Sequence, residues 1–294
     1  MYRIGIVGNG RVGSALGAAL DAAGHPVIAA SSRSADSLER IRRLFPSAQV
    51  LAPHEVAGRA ELVIIAVPDD ALAGVVADLA ARGAFRKGQV VAHTSGAHGT
   101  GVLAPAAAAG AVPIALHPAM TFTGTRNDAQ RLAAGVVFGV TCPAGARPTA
   151  ERLVADLGGS VEWVPEERRV LYHAALAHGA NHLVTLVNDA LDQLREAGVR
   201  QPERLLDPLL HAALENTLRL GDAALTGPVS RGDAGTVAAH LAVLAAVAPG
   251  ALPAYTALAR RGADRAIAAG RLGPADAAPL LDLLSVARQP EPAS

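Results

Sequence analysis

The chain is short of several things, and each shortage closes off a class of function. Cys142 is the only cysteine among 294 residues. Neither an internal disulfide nor a multi-cysteine metal site can form, and a reducing, cytoplasmic setting is the expectation. Net charge is zero, with 26 basic against 26 acidic residues. No basic block breaks that balance, which argues against nucleic acid or an anionic membrane as partner. The apolar stretches 103–120 and 241–259 are broken by proline and glycine. Neither offers the ~20 uninterrupted apolar residues of a spanning helix. No basic–apolar–small leader opens the chain, since a strand pattern starts at residue 2. Lysine is as scarce as cysteine: the basic residues are almost all arginine, and Lys87 is the only lysine. About half the residues are apolar, enough for a sizeable core in one or two domains.

What is present begins at the N-terminus. Residues 2–7 read as a short buried strand ended by glycine, and Gly8, Gly10 and Gly13 then spell G-x-G-x-x-G before an alanine-rich helix pattern. In a dinucleotide-binding turn the first glycine allows the tight turn and the second lets a pyrophosphate approach bare backbone. The third lets helix and strand pack closely. The helix start also offers unpaired N–H groups and a positive dipole end to phosphate. Asn9, Arg11 and Val12 are therefore candidate cofactor contacts alongside the glycines. The second strand pattern, 25–30, closes with Ser31, Ser32 and Arg33. An NAD site would place Asp or Glu there for the ribose 2′-hydroxyl; small hydroxyls and an arginine suit a 2′-phosphate. The expected cofactor is NADP.

Further strand patterns occupy 48–51, 61–67, 89–92, 111–116, 135–140 and 160–164, with helices over 37–45 and 147–157. The run 61–67 is almost continuously apolar, as a strand covered on both faces should be. In a parallel sheet the C-terminal strand ends face the ligand crevice, so Val67, Pro68, Ser95 and Gly96 join the candidate cofactor contacts. From residue 165 onward no strand pattern recurs. Residues 166–197 read as one long helix, followed by helices over 203–220, 234–248, 253–269 and 275–284. The expected fold class is an α/β Rossmann domain, 1–164, followed by an all-α domain for substrate and dimerisation, 165–288. Residues 289–294 form a polar tail expected to be disordered.

Several motifs remain. They are Ser32-Arg33-Ser34, His93-Thr-Ser-Gly96, His117-Pro-x-Met-Thr-Phe122, His173 with Asn181, Thr226-Gly-Pro-Val-Ser-Arg-Gly-Asp233 and His240-Leu241. With these and the opening glycine turn, the sequence resembles the 6-phosphogluconate-dehydrogenase-like superfamily along essentially its whole length. Within it, the chain is most similar to a family of Rossmann-like proteins whose C-terminal region is a domain of unknown function. Some members look like reductases of 2-dehydropantoate, so the resemblance implies a small 2-oxo acid substrate. Ketopantoate reductases of this architecture carry a lysine, the general acid, one turn from an asparagine on the long helix. This helix has no lysine, and Lys87 enters a strand at the wrong edge of the sheet. A lysine mechanism is excluded.

Reducing a carbonyl with NADPH requires the protein to hold the carbonyl, stabilise the developing alkoxide and deliver a proton. On a regular helix, at about 100° per residue, His178, Asn181, His182, Thr185, Asn188, Asp189 and Asp192 share one face. That stripe is either a solvated face or, around Asn181, a wall of the cleft. His173 lies toward the apolar side and matches the family motif, as Asn181 does. In the loop before residue 234, Arg231 could clamp a substrate carboxylate and Asp233 could orient it, although Asp233 could equally be a helix N-cap. The catalytic candidates are thus His173, Asn181, Arg231 and Asp233, with His93, His98 and His117 as further proton donors. No carboxylate–histidine signature suggests a metal. The expected protein is a homodimeric NADPH-dependent reductase of a small 2-oxo acid. Imine or prephenate-type reduction, and an NADP-binding sensor without turnover, are the alternatives.

Overall fold

Alternating apolar residues put two cores on one sheet. The structure, a computed structural model, describes residues 1–125 and 127–286; the tail expected over 289–294 lies outside the described residues. The strands are β1 (Ile4–Val7), β2 (Val27–Ser31), β3 (Gln49–Val50), β4 (Leu62–Ile65), β5 (Val90–His93), β6 (Val112–Pro118), β7 (Val137–Thr141) and β8 (Ser160–Trp163). Ile4, Ile6, Leu62 and Ile64 face one way, onto Leu16, Leu20 and Phe138. Val7, Val63, Ile65 and Val91 face the other, onto Val56, Leu72, Val76 and Leu79. Residues of β1 and β4 are buried throughout. This is why those segments read as unbroken apolar runs rather than alternating ones.

Strand order is β3-β2-β1-β4-β5-β6-β7-β8, and every neighbouring pair is parallel except β6 with β7. β1 lies between β2 and β4, so successive crossovers leave it in opposite directions. In an open α/β sheet such a switch point, at the C-terminal strand ends, is the ligand position.

The chain divides into two compact units, Met1–Ala180 and Asn181–Ser294. The first therefore runs past the boundary expected at 164/165. Arg169 explains the extension: it is 1% exposed and donates hydrogen bonds to Thr141 on β7 and to the Ala115 carbonyl on β6. The second unit is helical: His182–Glu196, Pro202–Leu220, Ala234–Val247, Leu252–Ala268 and Pro274–Val286. Its core gathers Val237, Leu241, Ala263, Ala266, Leu280 and Leu284 from the last three of these helices. The expected Rossmann domain followed by a helical region is what the chain forms.

The expected single helix over 166–197 needs correction. A 3-10 turn, Glu166–Arg168, leads into the helix Arg169–Leu176, and a π-helical turn, Ala177–Asn181, precedes His182–Glu196. A π turn is wider than an α turn and shifts the phase of everything after it. The polar stripe computed at a constant rotation per residue does not continue through it.

Candidate functional site

The glycine turn follows β1 directly. Gly8 sits at φ +88°, where a Cβ would come within 2.6 Å of the Ala66 carbonyl and 2.8 Å of Val67 Cγ1. Only glycine tolerates both the dihedral and the contact. A Cβ on Gly13 would lie 2.6 Å from the Gly8 carbonyl, whereas one on Gly10 would meet nothing within 4 Å. The turn is thus closed at its first and third glycines and open at the second, the position at which a pyrophosphate meets backbone. The helix Arg11–Ala22 starts there without a side-chain cap and without an acidic residue in its first turn. Its N–H groups and dipole are left for an anion.

Asn9 adds an independent sign of a ligand. It is fully buried, and neither Nδ2 nor Oδ1 has a partner among the described residues. A buried amide left unpaired costs about 1–3 kcal/mol per group, which a polar ligand would recover. The backbone N–H groups of Gly8 and Asn9 donate to the Ser31 carbonyl at 3.2 and 3.1 Å, tying the turn to the end of β2. Ser31 itself is buried, Ser32 half-buried and Arg33 exposed. Ser34 is a capping residue, accepting from the Ser37 N–H at 3.3 Å. Pro68 heads the helix Asp69–Ala81 beyond β4, Val12 is half-buried, and the Arg11 side chain lies along Gly124. The turn and the unpartnered Asn9 fit a dinucleotide.

The loop after β5 is built by His93. The Ser95 N–H donates to Nδ1 at 3.2 Å, so the ring's other nitrogen carries hydrogen and donates to the Gly99 carbonyl at 2.8 Å. Burial above all lowers the His93 pKa to about 4. With both ring nitrogens held by backbone groups, His93 is a neutral loop brace. Ser95 is buried, and its Oγ accepts from the His98 N–H.

Gly96 opens the way for two other histidines. A Cβ there would fall 2.6 Å from His173 Cδ2 and 3.0 Å from His117 Nε2. The two imidazoles meet edge to face with centroids 5.9 Å apart. His117 Nδ1 is hydrogen-bonded to the Tyr172 hydroxyl at 2.9 Å. Burial first, then the charges of His173 and Arg169, push the His117 pKa down to about 4. The C-terminal ends of β5 and β6 thus carry a cluster of His117, Tyr172 and His173. Tyr172 and Arg169 were not among the expected residues. Their available signal was spacing, since Arg169 and Tyr172 stand three apart and share a helix face.

In the second unit, Gly227 at φ +91° and Gly232 at φ +77° frame the short helix Pro228–Arg231. Arg231 donates to Asp233 Oδ2 from Nε at 3.0 Å and from Nη2 at 2.8 Å. Asp233 does precede the helix Ala234–Val247, but its side chain makes no capping bond. Its carboxylate holds the arginine instead. Asn181 is exposed at the end of the π turn. Among the described residues no group of three His, Cys, Asp or Glu side chains could hold a metal ion. No described helix is long and apolar enough to cross a membrane.

Residues 1–118 match the model of a Rossmann-like domain, and residues 136–262 match a domain of unknown function, DUF2520. The second match begins at Val136, so it takes in β7 and β8 of the sheet. No curated protein gives a significant match. Among solved structures, one from Bacteroides fragilis provisionally named an NADP oxidoreductase is 21% identical, covering 90% of this chain and 98% of its own, with a TM-score of 0.76. An imine reductase from Myxococcus stipitatus in complex with NADP+ is 17% identical, covering 92% and 95%, with a TM-score of 0.64. A reductive aminase from Aspergillus terreus in complex with NADPH and ethyl-5-oxohexanoate is 19% identical, covering 98% and 93%, with a TM-score of 0.61. The chain shares their fold, and its two domain matches pair an N-terminal Rossmann-like domain with a C-terminal DUF2520 domain.

Proposed function

We propose that this chain is an NADPH-dependent reductase of a small 2-oxo acid. The observation that carries the reading is the His117–His173 pair standing over Gly96 at the strand ends of a Rossmann sheet. Proton-handling side chains at that place suit a reaction in which a double bond takes up a hydride and a proton. NADPH, when bound, supplies the hydride. The first-turn N–H groups of Arg11–Ala22 would hold the pyrophosphate, Asn9 would give its unpaired amide to the cofactor, and Ser32 with Arg33 would bind the 2′-phosphate. The similar proteins with bound NADP+ or NADPH support the choice of cofactor.

The chain's own chemistry is the movement of a proton. His117 and His173 deliver it to the atom that gains negative charge, and Gly96 lets both rings reach that edge. Of the second unit's residues, Arg231, steadied by Asp233, suits a carboxylate, and Asn181 suits an oxygen that gains negative charge. Reduction of C=N is the second reading. It is favoured by the fold shared with an imine reductase and a reductive aminase, and by the absence of a lysine acid. The working form is a homodimer.

NADPH consumption across a panel of 2-oxo acids and cyclic imines tests the proposal. Turnover of 2-oxo acids supports it, and turnover of imines alone replaces it with the second reading. NADPH binding without turnover of any substrate would leave a binding protein and remove the enzyme.

A further inference from the structure

Arg169 is 1% exposed, yet none of its described hydrogen-bond partners is a carboxylate. Its Nε donates to Thr141 Oγ1 at 2.8 Å, and Nη2 donates to the carbonyls of Ala115 and Gly139 at 3.0 and 3.1 Å. Nη1 is buried with no partner among the described residues. A guanidinium desolvated against neutral acceptors is a costly way to fill space, and an apolar side chain would serve stability as well. The charge of Glu166 offsets part of that cost but makes none of the described hydrogen bonds to the guanidinium, so its fixed position needs a further explanation.

Its surroundings supply one. The fork of bonds to β6 and β7 fixes the guanidinium, whose Cζ lies 5.8 Å from the centroid of the Tyr172 ring. The phenol oxygen occupies the space that a side chain on Gly139 would take, and it bonds His117 Nδ1 at 2.9 Å. The opposite nitrogen of that ring, Nε2, faces Gly96. Arg169, Tyr172 and His117 thus form a line from the interior to the strand-end cluster.

We propose that Arg169 is a positioning residue that makes Tyr172 the acid of this site, its proton passing through His117 to the substrate atom being reduced. The inference rests on the reductase reading above. As the double bond is reduced, its electron pair moves onto the substrate oxygen or nitrogen. The Nε2–H bond of His117 breaks and an O–H or N–H bond forms on that atom. At the same time the Tyr172 O–H bond breaks and an Nδ1–H bond forms on His117, leaving the electron pair on a phenolate. A water molecule then gives a proton to Nε2, leaving as hydroxide, while the Nδ1–H bond breaks and the Tyr172 O–H bond re-forms.

The charges around the line favour this direction of transfer. Burial leaves the Tyr172 pKa raised, and Arg169 opposes that rise by stabilising the phenolate. The same positive charge, with His173, disfavours an imidazolium at His117, so the proton does not rest on the ring. Asp69 acts on His117 in the opposite sense and His93 in the same sense. Glu166, three residues before Arg169, accepts from the N–H groups of Thr100 and Gly101 and the Thr100 hydroxyl, and its charge also favours the charged form of Arg169. On β7, Tyr172 meets the backbone of Gly139 and no titratable side chain.

The test uses the full chain, without cofactor or substrate. The protein has three tyrosines, so NMR of ring-labelled tyrosine can follow Tyr172, assigned by its loss in Tyr172→Phe. Arg169→Gln should raise the Tyr172 pKa by about one unit or more, and Arg169→Lys should restore part of the shift. An unchanged Tyr172 pKa in folded Arg169→Gln overturns the proposal. Should that variant not fold, Tyr172→Phe decides: the His117 ring resonances should move in the unliganded protein, and unmoved resonances overturn the relay. With a substrate in hand, Tyr172→Phe should lower kcat at least about tenfold with KM near wild type and remove the alkaline limb of kcat. Wild-type kcat with an unaltered profile overturns the relay while leaving the reductase reading intact. The tyrosine titration stands whether or not the substrate panel gives turnover.

Discussion

The hydroxyl of Tyr172 and Nδ1 of His117 are 2.9 Å apart, although 55 residues separate them in the chain. The bond joins the end of β6 to the helix Arg169–Leu176, so the strand-end histidine and the helix are placed as one body. It also means that the ring nitrogen away from Tyr172 is the one beside Gly96.

Gly96 should therefore tolerate substitution poorly for a reason unrelated to backbone strain. Gly96→Ala puts a methyl group where the His117 and His173 rings now stand, 3.0 and 2.6 Å from their nearest atoms. The rings can swing away, so the cost in stability should stay within the ~1–3 kcal/mol of ordinary overpacking. Activity should fall much more than the melting temperature suggests. Steady-state kinetics beside thermal unfolding would check this, and a variant with wild-type kcat would remove the pair from the chemistry.

Cofactor preference should depend on Arg33. One charge-assisted contact to the 2′-phosphate is worth ~1.5–3 kcal/mol, so Arg33→Ala should lose most of a preference for NADPH over NADH. Fluorescence titration of both cofactors reads this directly. Equal affinities in the wild type would end the assignment of Ser32 and Arg33.

Acid should destabilise the first unit through its buried histidines. His93 and His117 both have pKa values lowered from 6.5 to about 4. Between those limits the unfolded chain binds protons that the folded chain refuses. The stability they contribute is fully present above about 6.5 and is lost as pH falls toward about 4, at up to about 1.4 kcal/mol per pH unit for each ring. His117→Asn should flatten that slope in denaturant titrations at stepped pH. An unchanged slope would mean that His117 titrates normally in the folded protein.

Much of this arrangement was legible in the residues, and the illegible part has a physical cause. The runs at β1 and β4 announce strands because both of their faces are buried, and the glycine turn announces itself because two of its three positions have no room for a side chain. His173 was found through a motif. Arg169 and Tyr172 were not, because a buried arginine bound to backbone carbonyls looks, in sequence, like any solvated arginine at a helix start. The π turn Ala177–Asn181 was equally hidden: periodicity arguments assume constant rotation, and one wide turn breaks the assumption without changing composition.

Arg231 offers a clean separation of stability from binding. Its pair with Asp233 is exposed, with side-chain accessibilities of 61% and 39%. Such pairs contribute about 0–1 kcal/mol. Arg231→Ala should leave the melting temperature nearly unchanged while raising KM for a carboxylate substrate more than it lowers kcat. Asn181→Ala should act mainly on kcat, since a bond to the acceptor oxygen strengthens as charge develops there. Unaltered kinetics in both variants would remove the second unit's candidates.

The last expectation concerns assembly. No residue of His182–Glu196 is buried, and in Pro202–Leu220 only Pro202 is. Leu205, Leu209, Leu214 and Leu218 are 56, 64, 53 and 80% exposed. Around a helix the first two leucines lie roughly opposite the last two, so this is no ordinary amphipathic surface helix with one apolar stripe. A helix apolar on opposite sides belongs in an interior, and Leu183, Val184 and Leu186 extend the apolar surface on the preceding helix. A second copy supplies such an interior most simply, through a two-fold contact in which each patch meets its like. Light scattering at micromolar concentration should report a dimer, and Leu209→Glu with Leu218→Glu should yield monomers. A wild-type protein that is monomeric and stable at that concentration would show that these leucines remain in water.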